Sequence, residues 1–416
     1  MPSIQGFKLG GEKMAVELIK ERKTVAMTGN QAIAEAMRQI NYDVVAAYPI
    51  SPQTELMGFF AEYLANGLVD TEFVTVESEH SAMSAVIGAA ASGARAMTAT
   101  AAQGLLYMYE NLPIASNWRL PITMVLVNRA LSAPLNIHCD HGDAMTARDS
   151  GWIQLFSENS QEAYHNLIMA VKIAEKALLP TIVNMEGYIV SHTIGNVNLL
   201  TDKEVQEFIG ESDWRKNVPH PLLDTDNPVT YGATALPDYY TELKYQQHEA
   251  TFEAKKYVKE VLAEFNELAG TNYDIIEPYK LDDADFAIVV MGSTAGVART
   301  AADILREQGI KAGVLKIRLF RPFPVEEIVD ALKHLKAVAV LDRHDSMNAL
   351  ASPLFQDLAA SMYHLPEKPL LHDFIYGLGG REVTVEDMLK AFNRVINLYT
   401  GKETRNRFVE YLQVRE

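Results

Sequence analysis

The sequence predicts an α/β protein with two domains built on mostly parallel sheets. Short apolar runs alternate with longer helical patterns from Thr24 to about Glu186 and again from Asp285 onward. Most of these runs are apolar or β-branched, which is typical of parallel strands that helices cover on both faces. The length of 416 residues also fits two or three domains of roughly 100–200 residues each.

These patterns divide the chain into five segments. We predict an N-terminal extension at 1–24, a first α/β domain at 25–195, an irregular connector with a charged helix at 196–280, a second α/β domain at 281–400 and a C-terminal tail at 401–416. Within the connector, Asn196–Pro237 is polar and rich in proline, which favours irregular structure. The charged helix is expected at about Tyr239–Leu268.

The first domain is predicted to alternate strands with helices. Its strands are expected at Val44–Ile50, Phe73–Val76, Ala96–Thr100, Ile122–Val127 and Thr181–Met185. Its helices are expected at Gln31–Ile40, Gln53–Asn66, His80–Ser92, Gly104–Ser116 and Gln161–Glu175. This order favours one parallel sheet with helices on both faces.

The second domain is predicted as a smaller unit of the same kind. Its strands are expected at Phe286–Met291, Lys311–Leu319, Ala337–Leu341 and Phe374–Gly377. Its helices are expected at Ala295–Gln308, Phe323–Leu335, Leu350–Tyr363 and Val385–Leu398. The turn Gly377–Gly380 follows its last strand.

Composition excludes several classes of protein. The formal charge of −17 argues against wrapping nucleic acid or lying on an anionic membrane. No apolar run approaches the roughly 20 residues that span a bilayer, and the charged N-terminus lacks a secretory signal pattern. The single cysteine, Cys139, cannot by itself hold an iron–sulfur cluster or a cysteine-rich zinc site. We therefore expect a cytoplasmic protein without a redox metal of its own.

Ser51 lies where the first strand meets a helix, in the run Tyr48–Thr54. Its hydroxyl could cap that helix. Alternatively, the hydroxyl and the following N–H groups could hold an anionic ligand, because α/β sheets bind ligands at the carboxyl ends of their strands. Spacing alone favours the cap.

Glu77 and Glu79 lie at the next strand-to-helix junction. Either carboxylate could simply favour the helix dipole. The following helix consists almost entirely of small or apolar residues, however, so a carboxylate at its mouth could also take part in chemistry. The residues themselves leave both choices open.

Arg129 follows the strand Ile122–Val127, where a guanidinium can clamp a carboxylate or phosphate. An interface ion pair is an equally plausible role. The next run, His138–Asp143, contains two histidines and two aspartates. That run resembles a metal site, but no helical i, i+4 pair or distant third ligand accompanies it, so we predict no metal there.

Taken together, these runs resemble a known family. The motifs are Y-P-I-S-P-Q-T at 48–54, V-E-S-E-H-S-A at 76–82, A-A-Q-G-L at 101–105, N-R-A-L-S-A-P at 128–134, D-H-G-D at 140–143, A-R-D-S-G-W-I-Q-L at 147–155, L-L-P at 178–180, Y-Q-Q-H at 245–248, R-L-F-R-P-F-P at 318–324, L-D-R at 341–343 and G-L-G-G-R at 377–381. The chain is similar in these motifs to the alpha subunit of pyruvate:ferredoxin oxidoreductase, one of the 2-oxoacid:acceptor oxidoreductases. The resemblance extends from about Val25 to Asn397.

The resemblance implies a thiamine-diphosphate enzyme divided over several chains. It implies a pyrimidine-binding domain here, followed by a transketolase C-terminal-like domain. A beta subunit with a G-D-G motif would hold the diphosphate and Mg²⁺, and this chain has no G-D-G. Gamma and ferredoxin-like delta subunits would hold the iron–sulfur clusters, and a flavin subunit could pass electrons to NAD. CoA is the implied co-substrate.

The resemblance also implies roles for individual residues. Glu79 aligns with the glutamate that hydrogen-bonds the pyrimidine ring of the cofactor, which decides for Glu79 over Glu77. Pro49 and Ile50 belong to the implied cofactor-binding loop. Arg129 aligns with the arginine that binds the 2-oxoacid carboxylate, and Ser51 aligns with a substrate-contacting threonine, so we expect Ser51 to serve as both cap and ligand.

The chain departs from the family pattern in two places, one beside the substrate and one in a loop that bears on the approach of a partner or the cofactor. Serine at 51 keeps the hydroxyl but removes a methyl group, worth about 1 kcal/mol, which leaves more room beside the substrate. The loop Asp345–Pro353 replaces a glycine-rich loop. We expect oxidative decarboxylation of pyruvate first and of an aryl 2-oxoacid such as phenylglyoxylate second. The alternatives are a non-catalytic scaffold subunit and a transketolase-type enzyme without redox chemistry.

Overall fold

The computed structural model describes residues 18–213, 216 and 218–415. Its strands are β1 (Lys23–Met27), β2 (Val44–Ala47), β3 (Glu72–Thr75), β4 (Ala96–Thr100), β5 (Thr123–Asn128), β6 (Ile153–Phe156), β7 (Thr181–Glu186), β8 (Gly195–Leu199), β9 (Ile276–Tyr279), β10 (Phe286–Val290), β11 (Ala312–Ile317), β12 (Leu319–Arg321), β13 (Ala337–Asp342), β14 (Leu370–Ile375) and β15 (Val409–Tyr411).

The α-helices lie between these strands. They are α1 (Gly29–Ile40), α2 (Thr54–Ala65), α3 (Glu79–Ala91), α4 (Ala102–Met108), α5 (Asn111–Asn117), α6 (Gly142–Thr146), α7 (Ser160–Ala177), α8 (Asp202–Ile209), α9 (Pro237–Ala269), α10 (Thr294–Glu307), α11 (Val325–Leu332), α12 (Pro353–Ser361) and α13 (Val385–Thr400). Short 3₁₀ turns cover Ala147–Asp149 and Leu378–Gly380.

The first sheet has seven strands in the order β12-β6-β7-β5-β4-β2-β3. All neighbouring pairs are parallel except β12 and β6. The chain leaves β2 toward β3 on one side and leaves β4 toward β5 on the other. This change of direction opens a crevice at the carboxyl ends of β2 and β4, which is where open α/β sheets bind ligands.

The second sheet has six strands in the order β15-β14-β13-β10-β11-β9. Its pairs are parallel except for β9, which runs antiparallel to β11. Helices α10 and α13 pack together on one face of this sheet. The α/β class with mostly parallel sheets, predicted from the alternating apolar runs, is confirmed.

Local sequence explains where the elements around the site begin. Strand β5 is buried at all six positions, as its continuous apolar sequence predicts. Helix α1 starts at a capping box in which Thr28 and Gln31 exchange side-chain-to-backbone bonds. Helix α9 begins with Pro237 in its first turn, where the missing N–H has no cost.

Several elements differ from the sequence prediction. The predicted irregular segment contains β8, which pairs with β1, and α8, which starts at a Thr201–Glu204 capping box. The predicted helix Gly104–Ser116 is two helices, α4 and α5. The predicted strand Lys311–Leu319 ends at Ile317, and β12 then joins the other sheet. Strands β1, β6, β9 and β15 and the short helix α6 were not predicted. Residues 1–17 of the predicted N-terminal extension lie outside the described residues.

Candidate functional site

The loops that follow β2, β3, β4 and β5 meet at one edge of the first sheet. These strands are parallel neighbours, so their carboxyl ends all point the same way. Ser51 follows β2, Glu79 follows β3 and Arg129 follows β5. The topology thus brings the predicted site residues to the same edge.

Arg129 is held in the crevice by backbone groups of two loops. Its Nη1 donates to the carbonyl oxygen of Ser51 at 2.9 Å, and its Nε donates to the carbonyl oxygen of Asn136 at 3.2 Å. The residue is 8% exposed. Its Nη2 has no hydrogen-bond partner among the described residues, so that nitrogen can reach an anionic ligand.

Ser51 does not cap the helix that follows it, so that expectation is wrong. The N-cap position of α2 is Gln53, and no side-chain cap bond forms there. Ser51 lies two residues earlier and is exposed, as is Pro49, while Ile50 is half-buried. The Ile50 carbonyl instead accepts from the backbone N–H groups of Gln53 and Thr54. The Ser51 hydroxyl has no hydrogen-bond partner among the described residues.

Glu79 is the first residue of α3 and is 8% exposed. Its carboxylate forms no hydrogen bond or ion pair within the described part of the chain. Ser78, not Glu79, caps the helix by accepting from Ser81 N. A nearly buried carboxylate without a partner is costly, so it is a candidate for binding a ligand that carries a donor.

Glu77 has a different environment. It is exposed and accepts a hydrogen bond from the Ser81 hydroxyl at 2.5 Å. That bond lowers the pKa of the Glu77 carboxyl. Glu77 therefore belongs to the helix terminus, and Glu79 is the carboxylate that remains available.

Gly104 on α4 makes room for Glu79. A Cβ at this position would lie 2.8 Å from Glu79 Oε1 and would collide with Thr100 Oγ1. The Thr100 hydroxyl is itself buried without a partner among the described residues. The lack of a side chain at Gly104 therefore allows the Glu79 carboxylate and the Thr100 hydroxyl to lie close to the α4 backbone.

Asp143, part of the histidine-rich run, joins two of the site loops. It is fully buried and its carboxylate accepts from Ala102 N and Arg129 N at 3.0 Å each, from Asn128 Nδ2 at 3.0 Å and from its neighbour Ala144 N at 2.8 Å. Burial raises its pKa despite these donors. Sequence reasoning listed Asp143 only as a possible metal ligand, whereas it fixes the loops after β4 and β5.

The rest of that run contributes to a buried contact between the two domains. Cys139, His141 and Glu186 offer ligand atoms within 4.8 Å of one another. However, Glu186 accepts from the Ser293 hydroxyl, bonds His141 Nε2 at 2.9 Å and lies 3.7 Å from the Arg343 guanidinium. Burial raises the pKa of the Cys139 thiol. We interpret this cluster as an ion-pair and hydrogen-bond network.

Glu186 also fills a place where a ligand could lie. It packs against Gly292, whose φ is +69°, at the start of α10 and beside the carboxyl end of β13. This is the point in the second sheet where strand order reverses, and such points hold anionic ligands in open α/β sheets. Here a carboxylate of the first domain supplies the negative charge.

Two family descriptions match the chain. Residues 35–263 match the family described as pyruvate flavodoxin/ferredoxin oxidoreductase, thiamine diphosphate-binding. Residues 284–388 match the family described as pyruvate:ferredoxin oxidoreductase core domain II.

Curated relatives align over most of the sequence. The chain is 51% identical over 384 residues to pyruvate synthase subunit PorA of Thermotoga maritima, covering 92% of this chain and 96% of the relative. It is 44% identical over 363 residues to ketoisovalerate oxidoreductase subunit VorA of Pyrococcus horikoshii, covering 87% of this chain and 91% of the relative.

Solved structures share the fold. A 2-oxoglutarate:ferredoxin oxidoreductase from Magnetococcus marinus, with 2-oxoglutarate, coenzyme A and succinyl-CoA bound, superposes with a TM-score of 0.68 at 22% identity; the match covers 90% of this chain and 65% of that one. A split-gene transketolase superposes with a TM-score of 0.53 at 13% identity, covering 90% and 99%. In the described residues, no helix combines the length and apolar character needed to cross a membrane.

Proposed function

Because the chain belongs to the pyruvate flavodoxin/ferredoxin oxidoreductase family, we propose that it is the alpha subunit of a CoA-acylating 2-oxoacid:ferredoxin oxidoreductase. The reaction is the oxidative decarboxylation of a 2-oxoacid to acyl-CoA and CO₂, with electrons passed to ferredoxin. The relative named pyruvate synthase subunit, 51% identical, supports pyruvate as substrate. The observation that carries the proposal is the unpartnered, nearly buried Glu79 at the carboxyl edge of the sheet.

The residues around Glu79 fit the pyrimidine end of thiamine diphosphate. A carboxylate without a protein partner can accept a hydrogen bond from a ring nitrogen, and Gly104 leaves space beside it. Pro49, which is exposed, and Ile50, which is half-buried, belong to the loop that follows the neighbouring strand β2. A beta subunit holds the diphosphate and Mg²⁺ in this proposal, and gamma and ferredoxin-like delta subunits hold the iron–sulfur clusters.

The chain's own residues bind the substrate and hold a proton. Thiamine diphosphate, when bound, supplies the electron sink for decarboxylation. With the cofactor bound, Glu79 would accept a hydrogen bond from the protonated pyrimidine nitrogen and so hold that proton on the ring. Arg129 Nη2 donates to the 2-oxoacid carboxylate, and the Ser51 hydroxyl donates to the substrate from the neighbouring loop. The subunit acts only within its complex, because half of the site lies on the partner.

Replacing Glu79 tests this proposal. In the complex assembled from this chain and its partner subunits, Glu79→Gln is expected to lower 2-oxoacid-dependent ferredoxin reduction at least about 100-fold, the size of a lost acid–base contribution. Glu77→Gln is the matched control, since Glu77 is exposed and accepts a hydrogen bond from the nearby Ser81 hydroxyl, and it should keep near-normal activity. Near-normal turnover of Glu79→Gln would contradict the proposal.

The same assay separates the alternatives. A panel of pyruvate, 2-oxoisovalerate and phenylglyoxylate decides the substrate, and ferredoxin against NAD decides the acceptor. Turnover that needs neither CoA nor an electron acceptor would favour a transketolase-type enzyme. If Glu79, Ser51 and Arg129 could all be replaced without loss of activity, the chain would be a non-catalytic scaffold.

A further inference from the structure

The loop that follows Arg129 lies against a glycine turn of the second domain. Asn136 Nδ2 donates to the carbonyl oxygen of Gly379 at 3.0 Å, and Gly380 N donates to the carbonyl oxygen of Cys139 at 2.6 Å. The turn belongs to the G-L-G-G-R motif at 377–381. The proposed reaction assigns no role to this motif. It is nevertheless one loop away from the predicted substrate-binding arginine.

Asn136 connects this turn to the Arg129 guanidinium. Its backbone carbonyl accepts from Arg129 Nε at 3.2 Å, while its side-chain amide donates to Gly379. The Asn136 Oδ1 accepts from His138 N at 2.7 Å, which fixes the amide orientation. Arg129 and Gly379 are thus joined through a single residue, although they lie far apart in the sequence.

The close approach requires glycine at two positions. Gly379 and Gly380 have φ values of +61° and +76°, which disfavour any side chain. A Cβ on Gly379 would collide with the Asn136 amide, and one on Gly380 would lie 2.5 Å from His138 Cβ. The two glycines therefore allow the second domain to contact the Asn136 loop directly.

We propose that Asn136 and the Gly377–Gly380 turn are positioning elements for Arg129, so that the second domain helps to set the affinity for the 2-oxoacid carboxylate. Two nitrogens of the guanidinium are already bonded to loop carbonyls. Because Asn136 holds one of these carbonyls, movement of its loop changes where Nη2 points. This inference rests on the proposed function in taking Arg129 as the carboxylate-binding residue.

The test compares Michaelis constants in the assembled complex. Asn136→Ala and Gly379→Ala are expected to raise the KM for the 2-oxoacid about 3- to 10-fold, the effect of one neutral hydrogen bond, with kcat and the KM for CoA nearly unchanged. Arg129→Ala should raise the 2-oxoacid KM more. The double variant Asn136→Ala, Arg129→Ala should be no worse than Arg129→Ala alone, since one residue acts through the other.

Gly401→Ala is the matched control for backbone strain. Gly401 lies in the second domain with a φ of +73°, but a Cβ there would meet nothing within 4 Å. This variant should lose stability as Gly379→Ala does while keeping the wild-type KM. If Gly379→Ala does not fold, the KM for the 2-oxoacid is compared in Asn136→Ala and Asn136→Ser instead.

The outcomes distinguish the role of Arg129 in binding the 2-oxoacid from the role of Asn136 and the glycine turn in positioning Arg129. An unchanged 2-oxoacid KM in Arg129→Ala would overturn the role of Arg129 and thus the proposed site. A raised KM in Arg129→Ala with an unchanged KM in Asn136→Ala would overturn only the positioning inference. Additive effects in the double variant, or an equal rise of KM in Gly401→Ala, would overturn it as well.

Discussion

The setting of the Glu79 carboxylate depends on a side chain that is missing from the neighbouring helix. Gly104 lies directly against the Glu79 side chain, and the backbone of α4 can come this close because no Cβ intervenes. The Thr100 hydroxyl closes the same space from β4. Neither carboxylate oxygen has a hydrogen-bond or ion-pair partner among the described residues, so the group is available to an incoming donor.

Adding one methyl group at this point should disturb the site. Gly104→Ala would place its Cβ 2.8 Å from Glu79 Oε1 and even closer to Thr100, so Glu79 must turn away. We expect at least about a 10-fold loss of 2-oxoacid turnover, since misplacement by ~1 Å can cost more. Gly88→Ala, on α3 with nothing within 4 Å, is the control and should stay active. Full activity of Gly104→Ala would mean that Glu79 tolerates displacement.

Sequence reasoning reached some of these residues and not others. The residue types left Glu77 and Glu79 equivalent, and the family resemblance selected Glu79. The physical difference between them is burial, which depends on packing against α4. The arginine was visible because it ends a strand. Asn136 could not be selected, since its partner Gly379 is 243 positions away and neither residue type is unusual by itself.

At the scale of single elements, the N-terminus of α12 is held by two buried carboxylates. Asp342 accepts from Leu354 N at 2.7 Å, and Asp373 accepts from Ser352 N at 2.7 Å. Both lie at the carboxyl ends of adjacent strands, β13 and β14. Burial raises the pKa of Asp342 to about 8, with the nearby Asp373 adding to the effect, so Asp342 caps the helix largely in its neutral form at neutral pH.

This shift predicts how stability depends on pH. The folded protein holds a proton on Asp342 up to about pH 8, whereas the unfolded chain releases it near the ordinary value of 3.8, so stability falls as pH rises between these values. Asp342→Asn cannot ionise and should lose this dependence. We would measure the unfolding free energy by urea denaturation from pH 5 to 8. As the pH rises, the unfolding free energy of Asp342→Asn should increase relative to that of the wild type by at most about 1.4 kcal/mol per pH unit.

The exposed Asp330, whose side chain is 72% accessible, provides the control for that measurement. Asp330→Asn should follow the wild-type curve at every pH. Parallel curves for Asp342→Asn and the wild type would show that Asp342 is ionised in the folded protein at neutral pH.

Long periodic elements were easier to predict from sequence than short ones. Helix α9 was expected at Tyr239–Leu268 and spans Pro237–Ala269, because charged and apolar residues alternate over many turns. Strands β6 and β8 have four and five residues and too little pattern to stand out. Strand β12 is only three residues long, and its place depends on pairing with β6 across the molecule.

At the scale of the whole molecule, two buried charge networks hold the domains together. One contains His141, Glu186, Ser293 and Arg343. The other joins α7 to the second sheet through charged residues with balanced sign, namely Glu158, Glu162, Glu277, Arg299, Lys316 and Arg318. Lys316 and Arg318 have side chains that are 1% and 0% exposed. Such networks favour one relative placement of the domains, since a displaced partner leaves a buried charge unpaired.

Removing the charge of Glu186 should lower the stability of the folded protein. Glu186→Gln leaves Arg343 buried without its counter-ion and should cost about 3–5 kcal/mol of unfolding free energy, measured by urea denaturation at pH 7. Burial alone would raise the pKa of Glu186, but Arg343 and the bonds from His141 and Ser293 lower it to about 2. The stabilisation is therefore complete above pH 4.5 and declines as pH falls toward 2.

The exposed Glu386, whose side chain is 78% accessible and forms a surface ion pair with Lys390, is the control for this experiment. Glu386→Gln should change the unfolding free energy by less than about 0.5 kcal/mol. A loss in Glu186→Gln no larger than this would mean that the network around Glu186 contributes little to the stability of the folded protein.

Strand β12 has a consequence for any attempt to divide the polypeptide. It follows β11 of the second sheet after a single residue, yet it completes the first sheet by pairing with β6. A gene cut at the connector, before β9, would leave the N-terminal fragment with an open sheet edge at β6, and open edges promote aggregation. The two halves would then have to be co-expressed, with the C-terminal fragment donating its strand to the N-terminal one.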